Sequence, residues 1–129
     1  MGAMAWVVLG SAFGGTARYW LSGVVGRTVG ETFPWGTMAV NVSGALVIGI
    51  VAALAADGGW AAGDHAWRLA VIGFLGSYTT VSSFSLQTLA LARDGERLRA
   101  AANIVLSLVL CLSAAALGLV LGAALAEVR

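Results

Sequence analysis

The chain has 129 residues, of which 60% are hydrophobic and 10% charged, and its mean hydropathy is +0.93. Soluble domains run about 45–50% apolar and about 25% charged, and a small one must cover a proportionally large surface with polar groups. These figures exclude a soluble fold and predict an integral membrane protein. Disorder is excluded too, because it needs low hydrophobicity and high charge, and the length excludes a two-domain enzyme. Net charge is +1, lysine is absent, and the only basic cluster is Arg93, Arg97 and Arg99, so no nucleic-acid surface is expected. The single cysteine, Cys111, has no internal disulfide partner.

A membrane helix needs about 20 largely apolar residues. Four such stretches are predicted, at about 3–25, 35–56, 67–91 and 100–125, within one transmembrane domain covering 1–129. The first lacks a basic leader and contains Arg18, which marks it as a span and not a cleaved signal. Pro34, the only proline, precedes the second span, where a missing N–H is harmless. Most charges fall in the short connections. Arg68 and Arg129 lie on one side, and Arg27, Arg93, Arg97 and Arg99 on the other. Arginine marks the inner side of a membrane protein, and so small a bias is compatible with insertion in both orientations. Gly10 with Gly14 and Gly118 with Gly122 form small-xxx-small pairs. Such pairs serve helix packing within a chain as readily as a dimer interface.

The third span carries the signal. It runs Gly73-Phe-Leu-Gly76-Ser77-Tyr78-Thr79-Thr80-Val81-Ser82-Ser83-Phe84-Ser85-Leu-Gln87-Thr88. Gly73, Gly76 and the Thr79-Thr80 pair predict a helix broken at mid-membrane. Non-helical backbone is tolerated there only under protein cover or along a water-filled path, and the exposed ends of a broken helix bind ions. Thr80, Ser83 and Gln87 share one face, as do Asn103, Ser107 and Cys111 in the fourth span. Asn41 and Ser43 add polar groups from the second. Hydroxyls in membrane helices often bond their own i−4 carbonyl, but so dense a run beside a break points to a polar path. No acid lies inside a span, so the path suits an anion or neutral solute and not a proton-coupled cation carrier. Arg18 is placed either as a snorkelling end residue or as an attractor of anions to a vestibule. No metal-ligand cluster, nucleophile set or phosphate loop is present, and no enzyme activity is expected.

Three segments together resemble the Fluc (CrcB) family of fluoride channels: Gly14-Gly15-Thr16-Ala17-Arg18-Tyr19; Pro34-Trp35-Gly36-Thr37 followed by Asn41-Val42-Ser43-Gly44 and Gly49; and Gly73 to Ser85, similar to the family's G-x-x-G-G-x-T-T-F-S-T-F-S. The resemblance implies an all-α, four-helix protomer in the cell membrane, paired as an antiparallel, dual-topology homodimer. It further implies two pores for passive fluoride export and one central structural Na⁺. Carried over by position, the Na⁺ carbonyls fall on Gly76 and Thr79. The fluoride pore falls on Asn41, Thr80, Ser82, Ser83 and Ser107, and its two phenylalanine positions on Val81 and Phe84.

Three residues depart from the pattern. Val81 replaces a phenylalanine, Gln87 stands where an acid is common, and Ser77 replaces a glycine at the break. They leave open a subunit with an impaired pore that acts in a heterodimer. Small multidrug-type transporters are also four-helix dimers, but bind cations through an intramembrane acid that no span here carries. A structural subunit without transport would not need the polar run.

Overall fold

The computed structural model describes residues 2–58 and 63–128; Arg129, used above for topology, lies outside them. Among the described residues there is no strand. Helix α1 is Gly2–Val29 and α2 is Trp35–Ala56. The third long element is composite. It begins as α3 (Asp64–Trp67), continues as a π-helical segment (Arg68–Leu75) and closes with the short α4 (Gly76–Tyr78). After an interruption it resumes as α5 (Val81–Arg93), and α6 is Arg97–Glu127. The connections turn on glycine. Gly30 at φ 105° ends α1 and Gly95 at φ 83° separates α5 from α6, both in the left-handed region that disfavours other residues.

Three helical stretches are long and apolar enough to cross a membrane: Trp35–Ala56, Asp64–Arg93 and Arg97–Glu127. The expected first span is not among them, although α1 has 28 residues. Its length is ample, about 42 Å at 1.5 Å per residue. Its composition is less apolar, because Arg18, Arg27 and a run of glycine, serine and threonine dilute the hydrophobic residues.

The break falls at Thr79 and Thr80 and not at the glycines. Thr79 has ψ 157° and Thr80 has φ −150° and ψ 123°, both extended. Gly73 lies inside the unbroken π-helical segment, and Gly76 opens α4. The π turns carry i→i+5 bonds, as from the Gly76 N–H to the Val71 carbonyl. Gly73 serves packing instead. A Cβ there would lie 2.6 Å from the Val7 carbonyl oxygen and 2.9 Å from the Gly10 Cα. On Gly10 or Gly14 a Cβ would overlap backbone of the same segment.

A second glycine contact joins α2 to α6, where Gly49 meets Gly118 and Gly122 meets Ile50 and Ala53. Both small-xxx-small pairs therefore pack within the chain. Close approach of this kind replaces the hydrophobic drive that lipid cannot supply. Val40, Leu75 and Tyr78 form the buried core against Ala17, Leu21, Ile48 and Phe74, directly under the break. The outer face of α6 is uncovered, with Leu108, Leu112 and Val120 among its exposed residues.

A side chain at Gly118 would meet the Leu46 carbonyl and the Gly49 Cα. Gly118→Leu is expected to destabilise the fold by about 1–3 kcal/mol through overpacking, measured by unfolding in detergent micelles. Gly15→Ala, where a Cβ meets nothing within 4 Å, is expected to cause no loss.

Candidate functional site

Breaking a helix frees backbone groups that must find partners. Here α2 supplies them. The Asn41 Oδ1 accepts the Thr80 N–H at 2.8 Å, and Asn41 Nδ2 donates to the Thr80 carbonyl at 2.8 Å. Both ends of one side chain thus hold one residue of the break, leaving a single Nδ2 proton. Two residues along α2, Ser43 Oγ lies 2.8 Å from the Tyr78 hydroxyl. The Phe74 and Tyr78 rings stack with centroids 5.6 Å apart.

On the far side of the break, Thr80 caps α5. Its Oγ1 accepts the Ser83 N–H at 3.2 Å and lies 3.1 Å from Ser82 Oγ and 3.2 Å from Ser83 Oγ. Thr80, Ser82 and Ser83 therefore form one hydroxyl cluster at a helix N-terminus, the end that carries partial positive charge. Elsewhere the hydroxyls do back-bond: Thr79 to the Leu75 carbonyl at 2.9 Å and Thr88 to the Phe84 carbonyl at 2.7 Å. Among the described residues no hydrogen bond is made to the carbonyls of Gly76 or Thr79. These free oxygens fit a hard cation, which takes oxygen ligands. No cluster of His, Cys, Asp or Glu that would hold a metal occurs among the described residues.

Thr80 stands between two cavities. One, of about 440 Å³, is lined by Asn41, Gly76, Thr79, Thr80, Val81 and Cys111. The other, of about 270 Å³, is lined by Arg18, Tyr19, Ser22, Thr37, Thr80 and Ser83. The second shares Tyr19, Ser22, Thr37 and Ser83 with a further cavity that reaches Gln87 and Glu31. Gln87 and Glu31 in turn also line an outer one with Asp94, Glu96 and Arg99. Gln87 Oε1 is buried without a partner between these two.

The structure brings Asn41, Thr80, Ser82 and Ser83 together and sets Arg18 in the same cavity as Thr80 and Ser83. Arg18 is half-buried and has no ion pair among the described residues, whereas Arg68 pairs with Asp64 at 2.8 Å and Arg99 with Glu96 at 3.4 Å. Val81 lines the cavity at the break and is 76% exposed. Phe84 and Ser107 line neither of the two cavities at Thr80. The buried amide of α6 is Asn103, 1% exposed, whose Nδ2 donates to Thr88 Oγ1 at 2.9 Å.

Sequence reading passes over Thr37 as a functional residue. It is 8% exposed, its hydroxyl makes no hydrogen bond among the described residues, and it lines two of the polar cavities. The available signal is its i, i+4 spacing from Asn41, which puts both on one face of α2. Ser22 carries the same signal, four residues after Arg18 on α1.

Comparison with known proteins follows the same lines. Residues 5–119 match the family described as CrcB-like protein, Camphor Resistance (CrcB). The chain is 62% identical over 116 residues to a protein of Rhodopseudomonas palustris named fluoride-specific ion channel FluC 2, covering 89% of this chain and 88% of that one. It is 57% identical to a FluC 2 of Bradyrhizobium diazoefficiens, covering 89% and 85%. With the FluC of Methylocella silvestris the identity is 47% over 125 residues, covering 96% and 95%. Matched along nearly all of its length, and built on helices apolar enough to cross a bilayer, the chain belongs to the CrcB family, as an integral plasma-membrane protein of an ion-channel family and not an enzyme.

Proposed function

We propose that this protein is a fluoride-selective passive channel that exports fluoride across the membrane. The observation that carries the reading is the hydroxyl cluster of Thr80, Ser82 and Ser83 at the α5 N-terminus, clamped to Asn41 in the middle of a membrane-spanning stretch. Fluoride is small and strongly hydrated, so a pore must replace its water with dense donors. The Ser83 hydroxyl, which accepts from Thr80 and keeps its own proton, Thr37 and the remaining Asn41 proton are such donors, and none carries a fixed charge that would trap the ion. The names of the relatives, each a fluoride-specific ion channel, supply the identity of the anion.

In this reading Arg18 attracts the anion to the vestibule. Phe84, with its positive ring edge, and Ser107 join the path only in the assembled protein, since neither lines the cavities at Thr80 in one protomer. Four helices cross the membrane in each protomer, with α1 carried by its glycine contact to the π-helical segment. Two protomers pair antiparallel, with dual topology, and form two pores. The weak arginine bias supports that pairing, as does the open cavity at the break with the exposed Val81 beside it. The unbonded carbonyls of Gly76 and Thr79 would hold a central structural Na⁺. Its positive charge offsets the burial of an anion, because Coulomb energy grows in low dielectric.

Val81 favours a second reading, a subunit with an impaired pore that works beside a homologous partner. A valine has no ring edge, and a fluoride contact is lost if nothing replaces it.

Purified protein alone, reconstituted in liposomes loaded with fluoride and given a potassium shunt, is expected to release fluoride well above empty vesicles. A fluoride electrode reads this directly. No release alone, with release restored by a co-reconstituted homologue, would select the second reading. Asn41→Asp keeps an acceptor for the Thr80 N–H but sets an oxygen against the Thr80 carbonyl and an anion in the path. Flux in that variant is expected to fall at least about 10-fold, the equivalent of 1.4 kcal/mol. Val81→Phe restores a ring edge, and a rise in flux in the same assay is the expected outcome.

A further inference from the structure

We propose that Ser77 is a positioning residue, whose hydroxyl ties the last helical turn before the break to α1. The Ser77 Oγ lies 2.9 Å from the Ser11 carbonyl oxygen of α1, 2.9 Å from the Gly73 carbonyl and 3.2 Å from that of Phe74. The latter two are the back-bonds open to any helical serine. The contact to Ser11 crosses between helices. Gly14 makes room for it, since a Cβ at Gly14 would overlap both Ser77 Oγ and the Phe74 carbonyl. The Ser11 hydroxyl lies a long 3.5 Å from the Gly73 carbonyl and adds little to the link.

The break is thus held from two sides. On one side α2 binds Tyr78 through Ser43 and Thr80 through Asn41. On the other, Ser77 is the one link from α4 or the break to α1 among the side-chain bonds of the described residues. Gly76 precedes it and Thr79 follows two residues later. With both sides fixed, the carbonyls of Gly76 and Thr79 keep one direction, as a preorganised ligand set requires. This last point rests on the reading of those carbonyls as a Na⁺ site; the tie itself does not.

The test is hydrogen exchange on the full chain in detergent, followed at the Thr79 and Thr80 amides, in NaCl and in N-methylglucamine chloride. Ser77→Ala removes the hydroxyl alone, and exchange at Thr79 and Thr80 is expected to quicken about 3- to 10-fold, the scale of one hydrogen bond. Amides around Gly118, in the α2–α6 contact, are expected to keep their rates. Ser11→Ala retains the carbonyl that Ser77 uses and is expected to leave the break unchanged. Unchanged exchange at Thr79 and Thr80 in Ser77→Ala would overturn the proposal, and so would equal quickening around Gly118, which marks a general loss of stability. In the wild type, NaCl is expected to slow exchange at the break, and Ser77→Ala to need about 3- to 10-fold more Na⁺ for half the effect. No effect of NaCl on the wild type would overturn the Na⁺ reading, with the tie still decided by the exchange rates.

Discussion

A helix broken inside hydrocarbon leaves amide and carbonyl groups with no water to turn to. Each such group left unpaired costs several kcal/mol in that medium, so the N–H and carbonyl of Thr80 at the break need partners from another helix. Asn41 supplies both with one side chain, accepting from the Thr80 N–H and donating to the Thr80 carbonyl. An amide is the natural group for the task, since it holds a donor and an acceptor at the spacing of a peptide. The same bond sets where α5 begins, and hence where its positive end and the Thr80 hydroxyl lie. The polar cluster at the start of α5 follows from that one pairing.

The pairing requires α2 to stand close to the break, and glycine packing makes this possible. A Cβ at Gly44 would overlap the Thr79 side chain, and Gly36 meets the Ser22 backbone of α1 just as closely. Close backbone approach brings dispersion contacts that lipid would not provide as well. It leaves no room for side chains to adjust, so the polar groups between the helices keep fixed distances. Tight packing and a precise polar site are here one property seen at two scales.

Much of this was legible in the amino-acid order. Pro34 and the apolar run after it mark α2, and the Thr79-Thr80 pair marks the interruption. The glycines were read less well. Gly73 looked like a helix breaker, yet it lies in continuous π-helix against Gly10. A glycine weakens a helix and also admits a neighbour, and only the tertiary contact decides between the two. The π turns themselves leave no mark in periodicity over eight residues. Thr37 is not legible in sequence, because one hydroxyl in an apolar helix resembles any other until its lack of a partner is seen. In sequence Arg18 fits two roles equally, and the structure sets it beside Thr37, Thr80 and Ser83.

The charges are arranged as a gradient along the linked cavities. The outer one holds Glu31, Asp94 and Glu96 against Arg99, while the innermost holds Arg18 alone. The acids would repel an approaching anion, but they are exposed, and at physiological salt their reach is about 8 Å. Arg18 is half-buried and is screened less. Two unit charges 4 Å apart attract by about 4 kcal/mol at an effective dielectric of 20, against about 1 kcal/mol in water. In the proposed path, burial therefore weights Arg18 above the exposed acids. Gln87 sits at the junction of the outer pair of cavities. A carboxylate at that point would extend the acid field inward. An amide does not, and by rotation about its last bond it presents either its oxygen or its N–H groups. The buried Oε1 without a partner marks a side chain whose hydrogen-bonding capacity the protein itself has not used.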